Sequence, residues 1–154
     1  MKLTVFTEYT LRTLLDLASQ QGRLVTVADI AQRHDMAKHH LNKVVHQLGL
    51  SGVVRTVRGR NGGIVLAQRP AEINLGKVVR ASEPHFHMTA CFDGGQNDCP
   101  YALACSLQGV LGRASLAFLA VLDGVTLADL LPQLPLSGLP RNRFDHVIQL
   151  VTSD

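Results

Sequence analysis

The sequence predicts a mainly α-helical chain with one small β-hairpin, a winged helix-turn-helix followed by a long dimerisation helix. Three observations carry that prediction. Apolar residues recur at helical spacing near residues 3–18, 37–50 and 104–122. Between the last two, Val53–Arg58 is rich in β-branched residues, and Gly59-Arg60-Asn61-Gly62-Gly63 can turn the chain back onto Ile64–Ala67. Charge is also segregated: from Met36 to Ala71 there are Lys38, Lys43, Arg55, Arg58, Arg60 and Arg69 but no Asp or Glu.

In chain order, the first helix is expected from Leu3 to Ala18, with Leu11, Leu14, Leu15 and Ala18 in register and Gly22 behind it. Thr26-Val27-Ala28-Asp29 fits a capping box, Thr26 as the cap and Asp29 reaching back, and opens a short helix over Val27 to His34. His34-Asp35-Met36 must then connect, without a glycine, to a helix over Ala37 to Leu50. Its inner face is Leu41, Val44, Val45 and Leu48, and Gly49 and Gly52 mark its end. Helix, short helix, longer helix and basic-tipped hairpin are the order of a winged helix-turn-helix.

Asn74 can cap a brief helix through Ser82, which Pro84 ends. The long helix from near Ala104 to Leu122 is apolar on more than one stripe, so it wants burial against its own domain and against a second subunit. Asp123-Gly124 stops it, and Thr126 with Asp129 offers another capping box for a short Leu127–Leu131 helix. Pro132, Pro135 and Pro140 break up the C-terminal stretch. The expected divisions are a DNA-binding domain over 1–82, a cysteine-rich loop over 83–105, a dimerisation helix and short following helix over 105–132, and a proline-rich tail over 133–154.

With 154 residues, the chain suits one domain plus an assembly element, and 46% hydrophobic residues can build a core. No run of 18 apolar residues is present, so no transmembrane helix and no membrane partner are expected. The N-terminal MKLTVFTEYTLRTLLDLAS reads as an amphipathic helix rather than a leader. A cytoplasmic setting is expected, where structural disulfides are rare.

The net charge of +3 hides an asymmetry: residues 1–84 hold 12 basic and 6 acidic residues, and residues 85–154 hold 3 and 6. A basic field on one face suits a polyanion. Lys38, His39 and Lys43, with His46, suit the base edges of a major groove. Arg58 and Arg60, at a glycine-rich tip, suit phosphates or the minor groove. Each lysine taken alone reads equally well as a solvated side chain. No acid and base pair up beside a credible substrate pocket, so no enzyme is expected.

Cys91-x7-Cys99-x5-Cys105 places three cysteines within one loop. Thiolates so close can hold a soft metal or an iron–sulfur cluster, and an ordinary zinc ribbon fits poorly without a CxxC pair. The bland alternative is small buried hydrophobes. A cluster normally takes four protein ligands; the fourth here is an Asp, Glu or His, a small molecule, or nothing, with His85, His87, Asp93 and Asp98 near in sequence and the two histidines reading rather as loop polar groups.

The stretches LTVFTEYTLRTL, HHLNKVVHQLGLSGVVRTVRGRNGG and INLGKVVRASEP, with the cysteine segment from Thr89 to Leu131, resemble the winged-helix iron–sulfur transcriptional regulators, the NsrR, IscR and RirA group. The similarity covers about residues 1–132. LNKVVHQL, VVRASEP and LAVLDGVTLADL resemble the nitric-oxide-sensing branch most. Leu107 stands where the cluster-assembly branch has a ligand histidine, and the x7 spacing is similar to the iron-responsive group.

The resemblance implies a homodimeric repressor that binds double-stranded operator DNA. It implies an iron–sulfur cluster, [4Fe-4S] favoured and [2Fe-2S] possible, on Cys91, Cys99 and Cys105. Glu8 of the partner subunit would supply the fourth ligand, at a position where the family pattern has Asp. Nitric oxide is then the implied effector, its damage to the cluster relieving repression. Iron or redox sensing on the same fold is the runner-up, and a metal-independent DNA-binding protein with passive thiols is the alternative of another class.

Overall fold

The computed structural model describes residues 2–89, 92 and 105–131. Cys91, Cys99, Asp93, Asp98 and the proline-rich tail from residue 133 lie outside the described residues. The elements are α1 (Val5–Ser19), α2 (Val27–His34), α3 (Lys38–Leu50), β1 (Val54–Val57), β2 (Gly63–Leu66), a 3-10 turn at Pro70–Glu72, α4 (Leu75–Ser82), α5 (Ser106–Asp123) and α6 (Leu127–Leu130). The order is that of a winged helix-turn-helix followed by a long helix.

Thr4 caps α1 by accepting from the Thr7 amide at 3.2 Å, so the helix starts two residues later than its apolar pattern suggested. The buried stripe also differs from the expected one. Thr7, Thr10, Thr13, Leu14, Asp16, Leu17 and Ala18 are buried, whereas Leu11 and Leu15 are half-buried. Threonine can face a core when its hydroxyl donates to a carbonyl one turn back. Thr10 Oγ1 does so to Phe6 at 2.8 Å and Thr13 Oγ1 to Tyr9 at 2.6 Å, while Thr7 Oγ1 donates to Ser82 Oγ on α4 at 2.9 Å.

The capping box at Thr26 and Asp29 is present, and its hydrogen bonds hold the Asp29 carboxyl below its ordinary value. Asp35 supplies the turn that lacks a glycine: its φ of 51° is left-handed, a conformation short polar side chains tolerate. α3 buries Leu41, Val44, Val45 and Leu48, as its pattern predicts. Strands β1 and β2 pair antiparallel, Val54 opposite Leu66 and Val57 opposite Gly63. Val25 adds a bridge to Ile64, with hydrogen bonds of 2.8 and 3.0 Å. A Cβ at Gly63 would lie 2.8 Å from the Val25 carbonyl oxygen, so glycine is required there by backbone contact.

One core joins these elements. Leu14, Leu17, Ile30, Leu41, Val44, Ile64, Ile73 and Leu127 are essentially inaccessible. Leu127 comes from beyond the long helix and is held by local pairing: its amide donates to Ile73 O at 2.9 Å, and Leu75 N donates to Val125 O at 3.0 Å. Asn74, the cap of α4, also donates from Nδ2 to Asp123 O at 2.7 Å. Arg80 forms a two-pronged ion pair with Asp123, with Nη2 2.7 Å from Oδ2. That pair lies over Gly76, where a Cβ would collide with it. The C-terminal end of α5 is therefore fastened to α4.

The rest of α5 is open: Leu119 is its one buried residue, and Leu107, Val110, Leu116 and Val121 are 61, 49, 67 and 69% exposed. Among the described residues α5 is the one helix long and apolar enough to cross a membrane by length and composition, which a search for an unbroken apolar run does not register. Its 18 residues extend roughly 27 Å, against about 30 Å of hydrocarbon. Gln108, Arg113 and Ser115 interrupt it.

Gly63→Ala should destabilise the chain by about 1–3 kcal/mol, read as a lowered thermal unfolding midpoint. The hydrogen bonds from Arg80 hold the Asp123 carboxyl below its ordinary value. Stability from that pair is thus present above about pH 4 and lost as pH falls through the depressed folded value. Arg80→Gln should accordingly show a shallower loss of thermal stability on acidification than the unaltered chain.

Candidate functional site

The predicted DNA-contacting residues are all exposed and fall on two neighbouring elements. Lys38, His39 and Lys43 project from α3, with His46 one turn further on. Arg58 and Arg60 lie on the segment joining β1 to β2. α3 and β1 are in contact, which sets the helix beside the strand that leads into the wing.

The start of α3 breaks a local rule. Ala37 gives it no side-chain cap and its first turn has no acid, so Lys38, His39 and His40 crowd the positive end of the helix dipole. Such a start is unfavourable for an isolated helix and favourable beside a polyanion. The His39 and His40 rings lie 4.1 Å apart, and Tyr9 meets His40 edge-on at 6.3 Å. The Ala37 amide donates to Tyr9 Oη at 3.4 Å. α1 thereby sets where α3 begins.

Sequence reasoning missed the group that orients α2. Asp16 on α1 is 6% exposed, and its carboxylate lies 3.3 Å from Arg33 Nη2 and 3.4 Å from His34 Nε2. These are ion-pair contacts without hydrogen bonds: Asp16 Oδ2 and His34 Nε2 are buried with no hydrogen-bond partner among the described residues. The available signal was an acid between Leu14, Leu17 and Ala18, on the apolar side of an amphipathic helix, with Arg33-His34 closing the next one. The Arg80–Asp123 pair, 43 residues apart, left no such signal.

Of the cysteines, Cys105 alone is among the described residues. It is half-buried and is the N-cap residue of α5. Glu8 sits in the first turn of α1, 40% exposed and paired with Arg12 one turn on. Before Cys105, residues 83–89 run beside the long helix: Ser115 Oγ donates to Phe86 O at 3.2 Å. His85 and His87 stack with ring centroids 4.9 Å apart, and Phe92 stacks on His87 at 6.0 Å. Among the described residues no three His, Cys, Asp or Glu group closely enough to hold a metal ion; Cys91 and Cys99 lie outside those residues.

The family described as Rrf2, iron-dependent transcriptional regulator, matches residues 3–133. Over 131 residues the chain is 47% identical to the HTH-type transcriptional regulator NsrR of Bacillus subtilis, covering 84% of this chain and 90% of the relative. Its counterpart in Geobacillus kaustophilus is 48% identical over 132 residues, covering 85% and 90%. CymR, the global cysteine regulator of B. subtilis, has a solved structure similar at a TM-score of 0.69 and 27% identity, covering 88% of this chain and 99% of that one. IscR of T. potens is similar at 0.68 and 25%, covering 92% and 94%.

If Arg60 meets a phosphate, replacing it by Ala should weaken DNA binding and flatten the slope of log K against log salt by about one. A base contact from α3 would instead cost about 1–3 kcal/mol, mostly at one base position. Unchanged binding after replacing Lys43 and Arg60 together would remove this face from the interface.

Proposed function

The chain belongs to the Rrf2 family of transcriptional regulators, and we propose that it is a cytoplasmic, dimeric repressor whose cysteine loop holds an iron–sulfur cluster and senses nitric oxide. The observation that carries this reading is the position of Cys105. It stands at the start of a helix whose other end is fastened to the DNA-binding elements, so a ligand held by the loop is tied mechanically to the winged domain.

The donor set suits the group. Cys91, Cys99 and Cys105 offer three soft sulfur ligands within a short span. Glu8 of a second subunit offers a harder oxygen, which favours [4Fe-4S], with [2Fe-2S] as the alternative. Glu8 is half-exposed and, among the described residues, is held by an ion pair with Arg12, an arrangement weak enough to exchange. When bound, the cluster supplies iron that nitric oxide coordinates.

What the chain supplies is the link and the readout. Residues 83–105 act as the sensing segment and 105–132 as the assembly segment. Leu107, Val110 and Val121, which share one side of α5, cover one another across two copies of the helix, removing from water a side that no described element covers. A shift in where the loop holds Cys105 tilts α5 about Asp123. The two α3 helices then lose the separation, about 34–36 Å, at which they meet successive major grooves. Lys38, His39, Lys43, Arg58 and Arg60 leave the operator together, and repression ends.

The family's description as iron-dependent favours a second reading, in which iron supply is the signal received by the same donors. Anaerobically purified protein should show, by native mass spectrometry, a dimer with one cluster per subunit. Nitric oxide should change its visible absorption in step with loss of operator binding. Glu8→Gln should weaken cluster retention and alter that response, and replacement of all three cysteines should abolish both. A cluster indifferent to nitric oxide but lost to a chelator moves the signal to iron. Tight, specific DNA binding by metal-free protein, unmoved by either, returns the cysteines to passive thiols.

A further inference from the structure

Between α1, the C-terminal end of α3, the hairpin and α4 lies a cavity of about 340 Å³. That is the small end of the roughly 300–1,000 Å³ of small-molecule sites. Neither the DNA-reading face nor the cysteine loop uses it. Phe6, Leu48, Val53 and Val78 give it an apolar wall.

Most of the polar groups lining it are already engaged. Thr10 Oγ1 donates to Phe6 O at 2.8 Å, Ser51 Oγ to Leu48 O at 3.0 Å and Ser82 Oγ to Val78 O at 3.0 Å. Glu72 accepts from the guanidinium and the amide of Arg69 at 2.7 and 3.1 Å. The Asn74 side chain is shared between Asp123 O and Lys77 N, and Gln68 Nε2 donates to Gly52 O at 3.1 Å. Among the described residues, the Gln47 amide and the Lys77 ammonium are left with no side-chain partner. Both are exposed and hydrated, one a cation and the other carrying two donors, so each can exchange water for a carboxylate oxygen at the cavity.

We propose that this cavity binds a small organic anion with a compact apolar body, of the class of an aromatic or branched-chain carboxylate. The body lies against Phe6, Leu48, Val53 and Val78, and the carboxylate is received by Lys77 and Gln47. Because Gln47 and Ser51 close the end of α3 while Lys77 and Ala81 belong to α4, the occupant touches both the DNA-reading helix and the helix to which α5 is fastened. It therefore couples to DNA binding by as much as its affinity differs between the free and DNA-bound arrangements. This inference does not depend on what the cysteine loop holds.

The test is a titration of the full-length, isotopically labelled protein with benzoate and with its uncharged counterpart benzamide, followed by amide chemical shifts. Saturable changes centred on Gln47, Ser51, Lys77 and Ala81 are expected, with benzoate tighter by about two- to fivefold, the ratio an exposed ion pair supports. Lys77→Gln, an exposed substitution that leaves the core untouched, should bring the two ligands to equal affinity. Ala81→Phe should fill the cavity and abolish binding of both. Changes that do not saturate, that map instead to the exposed face of α5, or a benzoate preference that survives Lys77→Gln would overturn the proposal.

Discussion

Ile73–Leu75 and Val125–Leu127 run side by side, joined by two backbone hydrogen bonds, and that short pairing determines where the long helix leaves the winged domain. Leu127 can enter the common core only because its amide is held to Ile73. Once it does, Asp123 is within reach of Arg80 and of the Asn74 side chain. The contributions differ in kind. Burying Leu127 is the large apolar gain, whereas the exposed Arg80–Asp123 pair adds little to stability and mainly fixes direction. The joint combines a hydrophobic anchor, which resists separation, with a polar bracket, which resists rotation.

α1 does the corresponding work at the DNA-reading end. Tyr9 receives the amide of the residue that precedes α3, Asp16 gathers Arg33 and His34 from the last turn of α2, and Thr7 reaches Ser82 on α4. Thr4 is fixed to α4 as well, its amide donating to Glu83 Oε1 at 2.6 Å. These polar contacts surround a core that is almost wholly aliphatic, as expected of a chain with no tryptophan and few aromatics. Aliphatic contact is poorly directional. The hydrogen bonds and ion pairs are what set the angles among the helices.

The features legible in the sequence were those governed by neighbours in the chain. Thr26 with Asp29 announced α2, Asn74 announced α4, and the β-branched run before the glycines announced the hairpin. The stripe of α3 was plain because its buried residues are all Leu or Val. α1 was harder, since threonines on a buried face look polar until their hydroxyls are seen to close on their own helix. The 3-10 turn at Pro70–Glu72 and the joint at Asp123 depend on partners distant in sequence or on fine geometry, and no periodicity encodes them. For the functional residues, the basic face followed from charge counting and the cysteine loop from thiol clustering. Glu8 came from family resemblance alone, since an exposed helical carboxylate paired with an arginine one turn on looks like ordinary surface.

A rod pinned at one end exchanges distance for angle. α5 runs roughly 27 Å from the residue after Cys105 to its bracket at Asp123, so displacing the free end by about 2 Å rotates the rod by only about 4°. In the proposed sensor the helix would act as a reduction gear, turning coarse motion at the sulfur end into fine rotation at the domain. In the proposed dimer each small rotation would act over the distance from the twofold axis to the groove and become a translation again. The number of turns between Cys105 and Asp123 is therefore a mechanical parameter as well as a packing one: adding or removing a turn would change the gear ratio while leaving the chemistry at either end intact.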